Sequence, residues 1–221
     1  KEKLKNRTFP LMYGGNQGFF NTCRRFLGFE NLLTLYYDDP ELIHALNQHL
    51  VNFLIKLYEP LLQELGGDYA MISEDMAYKS GPFISAKFFR EFCLPYYQQL
   101  TDFYRSYGIK HITIDSDGNV TSLIPLLIEG GVTGLDPWEI QSGLDVVEIR
   151  KSFPKFQILG GIDKIAVAKG KEAIDRELES KVPFLFKTGG FIPTIDHAVP
   201  PDISWENFVY YRKRLAELAR A

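Results

Sequence analysis

Two places in the chain set ionisable side chains directly after an apolar run. Gly189-Gly190-Phe191-Ile192-Pro193-Thr194-Ile195 leads into Asp196-His197 and then Pro200-Pro201. His111-Ile112-Thr113-Ile114 alternates and β-branches like a buried strand before it breaks into Asp115-Ser116-Asp117-Gly118-Asn119. An imidazole with carboxylates suits two chemistries. Together they are hard ligands for zinc or another divalent ion that keeps an open position, or they act as acid and base. Asp115 and Asp117, at i, i+2, face one side if the strand persists. The plainer readings are an Asp-Gly-Asn turn that caps the next helix, and a hydrogen-bonded histidine at a strand end. A third run, Tyr69-Ala70-Met71-Ile72-Ser73, stops at Glu74-Asp75, which line the same rim or form a solvated loop pair. Lys79 and Arg24 receive an anionic substrate or are surface charge. Candidates for catalysis are therefore His197, Asp115 and Asp117, with the same three as metal ligands, and candidates for substrate contact are Glu74, Lys79, Arg24 and Asp196.

Elements must bring such residues together. Phe9 to Tyr13 reads as a strand followed by a rim loop, Gly14 to Gly18. Asp38-Asp39-Pro40-Glu41 caps a helix, with Pro40 suited to its first turn. Leu42, Ile43, Leu46, Leu50, Phe53, Leu54 and Leu57 recur at helical spacing, so this helix runs to about Leu65 and ends at Gly66-Gly67. Ser85 caps a second helix, and Pro95 predicts a kink or a new start within it. After Asn119 the pattern repeats: a helix to Gly130-Gly131, a strand into Asp136-Pro137-Trp138-Glu139, a helix from Leu144 to Ser152 and a strand from Gln157 to Gly160. Asp163 then caps a helix near Ile165, followed by a helix from Lys171 to Glu179, the strand near Phe191 to Ile195 and a helix from Trp205 to Leu218. Six strand-helix units without hairpin signals predict a parallel sheet wrapped by helices, whose C-terminal edge collects the acids and the histidine. No GxGxxG follows the first strand. An eight-unit barrel takes about 250 residues, so six units fit a TIM-type (β/α)8 barrel lacking its N-terminal portion.

Composition narrows the function classes. The 221 residues are 45% hydrophobic and 24% charged with a net charge of −3, which predicts one ordinary globular domain. Without a basic field, nucleic acid is not an expected partner. No apolar stretch reaches the roughly 18 to 20 residues that span a bilayer, and the lysine-rich start has no signal-peptide core, so a cytoplasmic protein is expected. The start, which carries no initiating Met, also predicts a piece of a longer protein. Cys23 and Cys93 have no CxxC spacing and read as two buried free thiols. His44, His49 and His111 are left out of the site.

Several pieces together resemble the uroporphyrinogen decarboxylase superfamily, which includes corrinoid-dependent methyltransferases. They are Gly28-Phe29-Glu30-Asn31-Leu32 with Asp38-Asp39-Pro40-Glu41-Leu42, Ser85 through Phe92 with Leu94-Pro95-Tyr96-Tyr97, Gly118-Asn119, Gly160-Gly161-Ile162-Asp163, and Gly189-Gly190 through Asp202. The resemblance implies that residues 1–221 are the C-terminal two-thirds of one barrel domain with its site at the C-terminal mouth. In the decarboxylases the last motif is similar to Gly-His-Gly; His197 falls on that histidine, and Asp196 and Ala198 replace the glycines. Arg24 stands where a tyrosine is expected late in the first helix after Gly14-Gly15. In the cobalamin-dependent thiol methyltransferases zinc is held by His-x-Cys-Gly and a later cysteine. Here Asp115-Ser116-Asp117-Gly118 stands at the first place and His197 at the second.

The resemblance therefore implies a methyltransferase that moves a methyl group from a small methoxylated or methylated substrate to a corrinoid protein, with a divalent metal, zinc first, at the barrel mouth. A porphyrinogen decarboxylase, which needs no cofactor, and a non-catalytic partner-binding barrel are the alternatives. Expected partners are a small molecule, a corrinoid protein and a second copy of the chain.

Overall fold

The computed structural model describes residue 4, residues 6–15 and residues 18–220. The chain divides into two compact units, Lys1–Gly134 and Leu135–Ala221. Each is an α/β arrangement in which strands alternate with helices.

In the first unit the elements are β1 (Met12–Gly15), α1 (Phe19–Leu27), α2 (Phe29–Asp38), α3 (Pro40–Leu65), β2 (Tyr69–Ser73), β3 (Ala77–Tyr78), β4 (Gly81–Pro82), α4 (Leu94–Ser106), β5 (His111–Asp115) and α5 (Ile124–Glu129). Strands β1, β2 and β5 are parallel neighbours in that order, with Gly14 opposite Met71 and Ser73 opposite Asp115. The last residues of β2 and β5 are thus flush, which is what sets their side chains side by side.

Helix α3 obeys its sequence signals: Asp39 accepts from the Leu42 amide at 3.1 Å and Pro40 opens the first turn. Its buried stripe is Ile43, Asn47, Val51, Leu54, Tyr58 and Leu62. Leu42, Phe53 and Leu57 stand exposed instead. The buried Asn47 is satisfied, donating to the Phe92 carbonyl at 2.8 Å and accepting from the Cys23 thiol at 3.3 Å. The kink expected at Pro95 takes the form of a π-helical turn, Phe89–Cys93, after the first helical turn, Ala86–Phe88. A proline lacks the amide that would continue the α-helical ladder, and a widened turn accommodates it. One expectation fails. β3 and β4 form a short antiparallel hairpin where no hairpin was read, because two-residue strands are too short for an alternation signal.

The second unit runs β6 (Gly134–Trp138), α6 (Val146–Ser152), β7 (Gln157–Gly160), α7 (Lys164–Ala168), α8 (Lys171–Thr188), β8 (Phe191–Ile192) and α9 (Trp205–Leu218). β6, β7 and β8 are neighbours in that order, with β7 and β8 parallel. Helix α8 continues nine residues past the expected Glu179, carried through Pro183 by the buried row Ile174, Leu178, Val182 and Leu185. Among the described residues no helix is long and apolar enough to cross a membrane.

Candidate functional site

The edge of the first unit is built from the ends of β2 and β5. Ser73 Oγ donates to Asp115 Oδ2 at 2.8 Å, and the Glu74 amide donates to the Asp115 carbonyl at 2.7 Å. Ser73 is buried while Asp115 is partly exposed, so the serine braces the carboxylate from the buried side. Ser116, also buried, accepts from the Met76 amide at 3.0 Å and donates to the Asp117 carbonyl at 3.3 Å. Asp117 is partly exposed. Gly118 has φ +80 and the β3–β4 hairpin backbone packs against it; an added Cβ would stand 2.8 Å from the Ala77 carbonyl. The Asn119 amide donates to the Tyr78 carbonyl at 3.0 Å, and the Asn119 side chain accepts from the Thr121 amide at 3.1 Å. The turn-and-cap reading therefore describes Asn119, while Asp115 and Asp117 are each partly exposed.

Arg24 belongs to the same edge. Its guanidinium donates to the Asp75 carbonyl at 3.1 Å and to Asn21 Oδ1 at 2.8 Å, and Nη2 lies 3.6 Å from Asp75 Oδ2. Asp75, half exposed, is the one non-glycine residue with positive φ among the described residues, at +46. That conformation turns the chain sharply at the strand end. Lys79 stands exposed on the hairpin turn, with Nζ 5.9 Å from the Tyr78 ring centroid.

Two carboxylates expected to face substrate are instead enclosed. Glu74 is 0% exposed. Its Oε1 accepts from the Phe19 amide at 2.7 Å and from the Tyr97 hydroxyl, and its Oε2 accepts from the Asn21 amide at 2.9 Å. Burial pushes its pKa up to about 7, against the lowering effect of those donors. Asp196, in the second unit, is likewise 0% exposed. It accepts from the amides of Ile140 at 2.9 Å and Lys164 at 3.2 Å, and its own amide donates to the Ile162 carbonyl at 2.9 Å. Asp196 therefore ties together the segments that follow β6, β7 and β8. Burial raises its pKa, while Lys164 opposes the rise. Lys164 Nζ lies 3.8 Å from Asp196 and 3.5 Å from Glu139. The next residue, His197, is exposed on the loop before α9.

Sequence reasoning missed Asn21, Ser73, Ser116, Tyr97, Glu139 and Lys164. Ser73, Ser116 and Glu139 each lie at or within a residue or so of a strand end, and a small polar residue ending an apolar run was the available signal. Asp163 caps α7 as expected, accepting from the Ile165 amide at 2.8 Å. Cys23 and Cys93 are free and buried, and burial pushes the Cys23 thiol up to about 12. His44 is held by the Tyr96 hydroxyl at 2.8 Å.

A metal centre was tested against the donors present. Among the described residues no group of three or more His, Cys, Asp or Glu side chains is arranged to hold an ion. Both thiols are in the core, and one Asp115 oxygen is engaged by Ser73. These donors do not make a formed metal centre, and no step below runs through one.

The model of the family "Uroporphyrinogen decarboxylase (URO-D)" matches residues 9–217. No curated protein sequence matches. Among solved structures, a methyltransferase from Methanosarcina mazei is similar with a TM-score of 0.68 at 15% identity, over 97% of this chain and 61% of that one. The chain thus spans about three-fifths of that structure's length, and the likeness is one of fold. With nearly the whole chain under the family model, this protein belongs to the uroporphyrinogen decarboxylase family.

Proposed function

We propose that the chain moves a methyl group from a small methoxylated or methylated substrate to a corrinoid carried by a partner protein. Family membership supports an enzyme. The observation that carries the reading is the flush end of β2 and β5, where the Asp115 carboxylate braced by Ser73 stands on the same edge as the Arg24–Asp75 pair. Losing a methyl group leaves the substrate heteroatom with the electron pair of the broken bond, and that atom needs a proton or a positive group. Asp115, braced by Ser73, handles the proton, and Asp117 two residues on is proposed for the same acid-base work; His197, in the second unit, is proposed as an acid-base group in its own right. Arg24 receives an anionic group of the substrate.

A second reading, decarboxylation of a porphyrinogen by metal-free acid-base chemistry, is favoured by one observation: both thiols are sequestered in the core, so no thiolate is offered to zinc. The deciding experiment incubates the protein with a reduced corrinoid protein and a panel of methoxylated and methylated small compounds, and follows the cobalt absorbance. Methylation of cobalt by one compound class supports the first reading. Carbon dioxide release from a porphyrinogen without cobalt methylation replaces it with the second, and neither activity leaves a partner-binding role.

A further inference from the structure

Helix α1 has no cap of its own. Its N-cap residue is Gly18, which carries no side chain, and the first amides of a helix need an acceptor. The acceptor comes from the end of β2: Glu74 gives one oxygen to the Phe19 amide and the other to the Asn21 amide. Two bonds from one carboxyl group fix the helix start in both position and rotation, and above about pH 7, where Glu74 is ionised, its charge complements the helix dipole. Tyr97 of α4 closes the carboxylate from a third side, with the Phe19 ring edge-on to the Tyr97 ring at 5.2 Å. Gly18 itself is obligatory, because a Cβ would overlap the Glu74 carboxyl group.

The consequence appears one turn along. Asn21, whose amide Glu74 holds, accepts from Arg24, and Arg24 donates to the carbonyl of Asp75, the residue after Glu74. Asn21 Nδ2 also reaches the Ser73 carbonyl at 3.4 Å. The bonds form a closed circuit from Glu74 through α1 to Arg24 and back to the same strand end. We propose that Glu74 is a positioning residue that sets where the Arg24 guanidinium stands on the edge. This builds on the reading of Arg24 as a substrate contact, but its test does not need that reading.

Glu74→Gln keeps the shape and puts an amide NH2 where an acceptor is required. The probe is the Arg24 guanidinium itself, observed by nitrogen NMR in the full chain and assigned with Arg24→Ala. In wild type its terminal nitrogens should rotate slowly and give separate signals. In Glu74→Gln rotation should accelerate at least tenfold while circular dichroism is retained. Tyr97→Phe, which removes one bond to Glu74 and leaves the carboxylate, should shift the rate in the same direction by less, and it carries the test if Glu74→Gln fails to fold. An Arg24 signal as restrained as wild type in the folded variant overturns the proposal, even if the amides of Phe19 and Asn21 exchange faster, since Glu74 would then be a cap and nothing more. Turnover is read separately. If Arg24→Ala keeps full kcat/KM while Glu74→Gln frees Arg24, the substrate role of Arg24 falls and the positioning role stands.

Discussion

Carboxylates at strand ends serve opposite purposes in this chain, and burial separates them. Asp115 is partly exposed, whereas Glu74 and Asp196 are wholly enclosed and give their oxygens to backbone amides. All three follow an apolar run, so the sequence pattern placed them alike. What it could not show is the partner: the amides that claim Glu74 lie 55 and 53 positions away. Glu74 also gives stability a pH dependence with a definite sign. Its pKa is raised from 4.5 to about 7 in the folded chain, so the folded state holds the proton more tightly than the unfolded one. Its contribution is full below about pH 4.5 and is lost as the pH rises through about 7. Wild type should lose up to a few kcal/mol relative to Glu74→Gln between those limits, measured by denaturant unfolding at several pH values. Parallel curves would contradict the buried-carboxylate account. At the neighbouring position, Gly18→Ala forces a methyl group into the Glu74 carboxyl and the Ser73 carbonyl. It should cost at least about 2 kcal/mol, and an unchanged Tm would contradict the packing described.

Among the elements, β2, β5 and β7 were legible because each is an apolar run with a β-branched residue, closed by an acid or a glycine. Helix α1 was not, since its cap is supplied from another element and its local sequence follows a glycine loop. The resemblance alone implied a first helix there. The length of α8 was underestimated because its charged stretch ends at Glu179, whereas buried Val182 and Leu185 carry the helix on through Pro183. The clearest prediction at this scale concerns the segments after β6, β7 and β8. Asp196→Ala removes the acceptor for the Ile140 and Lys164 amides. Leaving buried donors unmet should destabilise by about 2 to 4 kcal/mol, whereas Asp145→Ala, which removes only the cap of α6, should cost about 1 kcal/mol. Thermal unfolding of the two variants side by side checks the order, and a larger loss for Asp145→Ala would refute the role given to Asp196.

For the molecule as a whole, family and fold class could be read from the order and spacing of short motifs, and the comparisons agree. The reaction could not, because strand-end aspartates and a histidine suit metal ligation and metal-free acid-base work alike. The division into two compact units was also unread, since strand-helix alternation continues without a change in composition. The central claim is that the edge formed by β2 and β5 carries methyl transfer. The most direct measurement is the rate of cobalt methylation, with the best compound from the panel, by wild type and by Asp115→Asn under identical conditions. The account predicts transfer by wild type and a loss of at least about a hundredfold in a folded Asp115→Asn, in keeping with the contribution of a single acid-base group. Equal rates in the two proteins would contradict it.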